Sequence, residues 1–336
     1  MGRTKKVRLQ DIAEKTGYSI STISHFINKT RNIDESTQDI LLQAIKELGY
    51  QLPSKRSHFS KTTTIGVVIS DIRVDFFDEL IKELEDIAYE EGYQIIIMDS
   101  EENPEKERHC IKTLMNLNVA GLIVAPCSTL SDLRFCEQFP LVLVDRMLED
   151  KSFDFVGIDN MMVTYSLVKD IVNKGKANIG LITFSSTNYC ARERTKGYRL
   201  AMIESNLFNA DHILVIEPEA DDNPSNISKF LRTHPEIDTL ICTNSNICYE
   251  VLGKMKRLAD INPIRFICTF DNNKWLDYVD FSVDAISQPI TDIAQTSIEL
   301  LKNKMKSPQK LQSNRSIFLN CTREERSSLF TEEKTY

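Results

Sequence analysis

From Ile65 onward, short unbroken apolar runs alternate with stretches of helical periodicity. TIGVVIS precedes the helical stretch FFDELIKELEDIAYEEG, and YQIIIMD precedes another near 104–118. AGLIVAP, a short helix, PLVLVD and FVGID complete a first series. A second series runs helix 161–174, NIGLITF, helix 191–205, HILVIE, helix 224–233, TLICTN, helix 246–259 and RFICTFD. DAISQP, a helix over 290–304 and a last strand near 316–321 end the pattern. Apolar runs without polar alternation are strands buried on both faces, and helices between them make parallel sheets covered on both sides. Two such series predict two sheets with a cleft between them, and ligand groups belong at the carboxyl ends of the strands.

The first 50 residues carry helical periodicity only. Leu9 to Asn28 reads LQDIAEKTGYSISTISHFIN, two short helical patterns around Gly17. The first runs through Asp11, Ile12, Ala13 and Glu14; the second opens at Ser19, whose hydroxyl can cap free backbone N–H groups. Ile23, Phe26 and Ile27 fall on one side of the second helix. Ile20, Ser21, Thr22, Ser24, His25 and Asn28 face elsewhere. Small hydroxyl side chains let a helix backbone approach DNA closely, and Ser, Thr and Asn bond phosphates and base edges. For any one of these residues, an ordinary three-helix core with a polar exterior is the better explanation. The Gly17 turn, the Ser19 cap and the S-x-S-T-I-S-x-x-I-N run together favour a DNA-reading head. A third helix begins near Asp34, with Leu41, Ala44, Ile45 and Leu48 as its buried stripe and Gly49 as its stop.

Charge sharpens this division. The net charge of −8 is uneven: residues 1–61 hold 11 Lys and Arg against 6 Asp and Glu, the remainder 30 against 43. A basic head on an acidic body places any polyanion contact in the head. No apolar run reaches membrane-spanning length, and no apolar segment follows the basic N-terminus, which predicts a cytoplasmic protein without a secretory signal. The eight cysteines form no C-x-x-C pair and sit mostly in apolar runs, as reduced core residues rather than disulfides or a zinc site.

The head motif is similar to the helix-turn-helix of the lac repressor family of bacterial regulators, whose pattern is roughly D-[IV]-A-x-x-[AT]-G-V-S-x-x-T-V-S-x-x-[LI]-N. The resemblance extends more loosely over nearly the whole chain. It implies an α/β protein with a small all-α head: a DNA-binding domain over 1–50, a linker over 51–64, and an effector-binding and dimerisation domain over 65–336. That domain would be built like a type I periplasmic sugar-binding protein, with subdomains about 65–159 with 288–315 and about 160–287 with 316–330. Three crossings fall near 159, 287 and 315. In the head, the resemblance places Thr22, Ser24, Asn28 and the basic arm on the DNA backbone, and Ile20, Ser21 and His25 on base edges. Lys55, Arg56 and Phe59 belong to the linker, which in the family becomes a hinge helix that wedges into the minor groove. Counting from Tyr50 makes Phe59 the wedge, counting from Pro53 makes it Ser60, and a plain tether is the alternative.

Several departures from the family pattern bear on recognition. Arg8 stands where relatives carry a Thr or Ser cap, and His25 where they often carry an arginine. Val74-Asp75 replaces Asn-Pro before the two phenylalanines, Ser245 follows Asn244 in place of Asp, and Val163 replaces a glycine.

Polar groups do end the predicted strands. PLVLVDR ends in Asp145-Arg146, ARERTKGY presents Arg194, LICTNSN ends in Asn244, FICTFDNN in Asp271, and DAISQP in Gln288. Carboxylates, amides and a guanidinium suit the hydroxyls of a small polar ligand. Each alone is commonly a turn residue; each also matches a ligand-contacting position of the family. Phe76 and Phe77 fit a sugar-stacking role or a core role equally, and Trp275 and Tyr189 are further aromatic candidates.

These readings point to a repressor of a sugar-utilisation operon. It would be a homodimer on a near-palindromic double-stranded operator, controlled by a small molecule in the cleft, without cofactor or metal. Release by an inducer is favoured over a corepressor. A regulator answering mainly to a protein partner and a solute-binding module without a DNA role are the alternatives. No G-x-x-x-x-G-K-[ST], G-x-G-x-x-G after a strand, G-x-S-x-G or H-E-x-x-H is present, so no enzyme is expected. His109 and His212 read as surface residues.

Overall fold

Three helices form the N-terminal unit: α1 (Leu9–Thr16), α2 (Ile20–Asn28) and α3 (Glu35–Leu48). Each gives one fully buried side chain to a small core, Ile12, Ile23 and Leu41, closed by Ala44 and Ile45. Gly17 turns the chain between α1 and α2 at φ 75°, a conformation that costs residues with a Cβ. The Ser19 hydroxyl accepts the Thr22 N–H at 3.1 Å, satisfying one of the free donors at the start of α2. Asp34 does the same for α3, accepting the Thr37 N–H at 3.1 Å and the Ser36 hydroxyl at 2.6 Å. Those bonds hold its carboxyl below the usual range. The computed structural model describes residues 9–28, 33–48, 63–184, 188–217, 223–255, 264–306 and 314–326. The basic arm with Arg8, Gly49 and the whole linker with Lys55, Arg56, Phe59 and Ser60 lie outside them.

A second unit begins at Thr62. Its first series is β1 (Thr64–Ile69), α4 (Asp75–Glu90), β2 (Gln94–Asp99), α5 (Pro104–Asn116), β3 (Gly121–Val124), β4 (Leu141–Val144) and β5 (Asp154–Ile158). Its second is α6 (Asn160–Asn173), β6 (Ile179–Phe184), α7 (Tyr189–Glu204), β7 (Ile213–Ile216), α8 (Asn223–Thr233), β8 (Thr239–Cys242), α9 (Ser245–Met255), β9 (Phe266–Phe270) and β10 (Val283–Ser287). The chain ends through α10 (Ile290–Lys306), β11 (Ser316–Leu319) and β12 (Thr322–Glu324). Two six-stranded sheets result, ordered β11-β5-β4-β3-β1-β2 and β12-β10-β9-β8-β6-β7. Among the described residues only β12 is antiparallel to its neighbour. The unbroken apolar strands are buried on both faces, as in β3, β4 and β5, where every residue is buried. Each fully buried Val, Leu or Ile contributes roughly 1.5–3 kcal/mol.

Four expectations need correction. The single last strand is two: Ser316–Leu319 pairs with β5 in the first sheet, and Thr322–Glu324 pairs with β10 in the second. The chain therefore passes between the sheets at Asn320-Cys321 rather than near 315, because the apolar run SIFL completes the edge beside β5. YQIIIMD is an edge strand, with Ile96 and Ile97 37% and 40% exposed, since only β1 pairs with it. The short helix before β4 is a three-residue 3-10 turn, Arg134–Cys136. His212 is buried, not on the surface, and its Nε2 lies 3.1 Å from Glu236 Oε1.

Candidate functional site

Asp145 follows β4 and Asp271 follows β9, each at a strand's carboxyl end in a left-handed backbone conformation, φ 62° and 70°. Each N–H stays in its sheet: Asp145 donates to the Val156 carbonyl at 3.1 Å and Asp271 to that of Ile286 at 3.0 Å. The backbone turn after the last sheet bond aims both carboxylates into the space between the sheets, where they are 7% and 8% exposed. Burial pushes both carboxyls above the ordinary range, and the guanidiniums of Arg146 and Arg194 oppose this for Asp145, that of Arg194 for Asp271.

Arg194, on the second turn of α7, is the cation facing both. Its Nε donates to Asn160 Oδ1 at 2.7 Å and its Nη1 to the Thr243 carbonyl. The guanidinium lies 3.7 Å from the Phe270 ring centroid. Its height in the cleft depends on how closely α7 meets α6. At Gly197, a Cβ would stand 2.2 Å from the Met161 carbonyl oxygen, so only glycine permits the approach. Arg146 is held differently, by a two-point bond to Glu102 at 2.8 and 2.8 Å. Gln288 donates to Asp271 Oδ1 at 2.7 Å. Asn244 caps α9 by accepting the Ile247 N–H at 2.9 Å.

Phe76, Phe77, Asp145, Arg146, Arg194, Asn244, Asp271 and Gln288 all line one cavity of about 560 Å3. That volume sits within the roughly 300–1,000 Å3 usual for small-molecule sites. The two phenylalanines belong to the core of the first subdomain, packed edge-to-face at 5.3 Å, and they also border the cavity. Trp275 and Tyr189 do not line it. Trp275 packs at 5.7 Å on Tyr249, which does line it, and Tyr189 packs at 6.1 Å on Phe155. Sequence reasoning missed Glu102, Asn160, Asn188 and Tyr249. The bond from Arg194 to Asn160 joins residues 34 positions apart, which no local pattern marks. Bridges outside the cavity also tie the walls together. Asn273 donates to Asp75, and Arg192 donates to Glu149 at 2.6 Å.

In the head, Ile20 is 48% exposed, Ser21 and His25 are exposed, and Thr22 and Ser24 are half-buried. The Ser21 and Thr22 hydroxyls turn toward Ser19, at 2.8 and 2.9 Å. The Asn28 side chain lies outside the described residues. Among the described residues no helix is long and apolar enough to cross a membrane.

Two family profiles match. The profile described as "Bacterial regulatory proteins, lacI family" covers residues 8–53. "Periplasmic binding proteins and sugar binding domain of LacI family" covers residues 62–268, more than half of the chain. The chain belongs to the lac repressor family. Members of the family are transcriptional regulators rather than enzymes, and this chain is a DNA-binding repressor with a ligand-binding effector domain. It is 27% identical over 308 residues to the HTH-type transcriptional repressor PurR of Aliivibrio salmonicida, covering 89% of this chain and 92% of that one. PurR of Vibrio cholerae is 28% identical over 314 residues, covering 90% and 92%. Among solved structures, a putative ribose operon repressor from Burkholderia thailandensis matches with TM-score 0.68 and 23% identity, over 79% of this chain and 99% of that one. The CelR–cellobiose complex matches with TM-score 0.70 and 17% identity, over 96% and 99%. At such identities these two establish the shared fold of the repressors.

Proposed function

We propose that this repressor controls sugar-utilisation genes in the cytoplasm and answers to a sugar or sugar derivative in the inter-sheet cleft. The observation that carries the reading is the convergence of eight strand-end and helix residues on one cavity. Paired carboxylates, amides and aromatic edges are the groups that fix hydroxyls and pack against a sugar ring. A ligand bonded to both Asp145 and Asp271 favours one closure of the two walls, and its differential affinity for the two closures is the coupling to DNA. Release of DNA by an inducer is the direction we favour.

In this reading two heads meet a near-palindromic operator, as a symmetric dimer presents two recognition helices about one helical turn apart. Ile20, Ser21 and His25 read bases; Thr22, Ser24 and Asn28 hold the backbone; Lys55, Arg56 and Phe59 act at the minor groove. The exposed apolar edge at Ile96 and Ile97, together with Tyr89 on α4 at 77% exposure, supports pairing through the first subdomain. Fluorescence anisotropy with operator DNA tests the head. The full chain should bind and a chain beginning at Thr62 should not. His25→Ala should relax preference at one base pair by roughly 1–3 kcal/mol; an unchanged base profile would remove His25 from base reading.

A further inference from the structure

Charge narrows the occupant of the cleft, on the reading that the cleft is the effector site. We propose that it accepts an uncharged, hydroxyl-rich ligand and rejects phosphorylated sugars and other anions.

Three observations carry this. Carboxylates among the cavity-lining residues outnumber guanidiniums five to three, and no lysine or histidine lines it. Asp145 and Asp271 are buried, so the charge of their ionised forms is poorly screened. The second observation is that each guanidinium already has partners, with the Arg146 Nε the buried donor left without a hydrogen bond. Recognition of a phosphate or carboxylate uses two parallel N–H donors of one guanidinium. Glu102 takes the Arg146 pair at 2.8 and 2.8 Å, and Asp71 takes Nε and Nη2 of Arg73 at 2.9 and 2.9 Å. Arg194 gives Nε to Asn160 and one Nη1 hydrogen to Thr243, so its side-on Nε–Nη2 pair is no longer whole for an anion.

The third concerns helix N-termini, which attract phosphates through free N–H groups and the helix dipole. Two of those at the cleft are capped by the chain itself, while α4 opens at Val74 without a side-chain cap. Asn188 Oδ1 accepts the Ala191 N–H of α7 at 3.0 Å, and Asn244 Oδ1 accepts the Ile247 N–H of α9 at 2.9 Å. The first turn of α4 carries Asp75 and Asp78. A neutral polyol meets none of this opposition, and its hydroxyls donate to the lone pairs that Asp145 and Asp271 retain.

Isothermal titration of the full chain with matched pairs of free sugar and phosphate ester, of ribose, fructose and glucose, tests the selection. In any pair that binds, the free sugar should bind and its phosphate should be weaker by roughly 100-fold or more, as like charges are brought together. A phosphate ester that binds as well as its parent sugar overturns the inference while leaving the cleft as an effector site. A sugar whose binding is untouched by Arg194→Ala instead removes the effector reading. A second arm needs no sugar: thermal denaturation in millimolar inorganic phosphate at constant ionic strength. The wild type should gain no stability, and Glu102→Gln, which releases the Arg146 donors, should gain it. A phosphate-dependent rise in the wild type that Arg194→Ala abolishes overturns the inference whether or not any sugar binds.

Discussion

The two walls of the cleft use the same backbone device and dress it differently. Asp145 ends the third strand of one sheet and Asp271 the third strand of the other, counted from β11 and β12. Both turn left-handed, and both give their N–H to the adjoining strand. Beside Asp145 stands Arg146, whose Nε lies 3.5 Å from its Oδ2 and whose other nitrogens are tied to Glu102. The Cys190 thiol also reaches its Oδ1 at 3.5 Å. Asp271 has instead the neutral amide of Gln288, in the segment where the chain passes back toward the first sheet. The first wall has a cation of its own subdomain beside its aspartate, with the Cys190 thiol reaching it from the second. In the second, the aspartate is bonded to the crossing segment itself, so a ligand drawn to Asp271 acts on the connection between the walls.

Removing the cation that faces both walls should do the most. Arg194→Ala strands the Asn160 oxygen and the Thr243 carbonyl and leaves both carboxylates without it. Ligand affinity should fall at least 100-fold and stability by roughly 3 kcal/mol, as for broken buried pairs, read by titration and thermal denaturation. Gly197→Ala should cost about 1–3 kcal/mol by forcing α6 and α7 apart, and should weaken ligand binding by displacing Arg194. The aspartates separate the walls. Asp271→Asn relieves a buried charge and should raise the Tm of the free chain by about 2–4 °C, near 1 kcal/mol, while weakening the ligand. Asp145→Asn loses an interaction with Arg146 and should leave Tm almost unchanged. Equal responses would erase the distinction between the walls.

The smallest effect is that of pH. Burial holds both carboxyls above their ordinary range near 4. The folded, unliganded chain therefore binds more protons than the unfolded chain in that window, and this contribution to stability grows as pH falls through it. Ligand hydroxyls favour the ionised form, so binding releases protons. Affinity should drop on acidification through the raised range and level off above it. Titration in buffers of different ionisation enthalpy reads the released protons directly.

Much of this arrangement was legible in the residues because the strands announce their own ends. VLVDR, ICTNS and CTFDN each break an apolar run with polar side chains, and in parallel sheets that break faces the cleft. What escaped was pairing at a distance. Glu102 lies 44 residues from Arg146 and belongs to a turn, so nothing local marks it as a partner. Thr243 acts through its carbonyl, which every residue has. β12 is three residues long, too short to show a period, and it changed where the last crossing falls. The exposed edge of β2 was hidden because QIIIMD reads the same whether or not a strand flanks it on both sides. In the head, the Gly17 turn and the Ser19 cap were both readable, as their chemistry is local.

The claim beneath all of this is that the cleft around Arg194 governs the head's hold on DNA. Anisotropy of a labelled operator bound by the full chain, titrated with the neutral sugar that most stabilises it, measures this directly. Operator affinity should change by roughly 5- to 150-fold, and Arg194→Ala should bind the operator as before but no longer respond. An operator affinity indifferent to a ligand that demonstrably fills the cleft would contradict the claim.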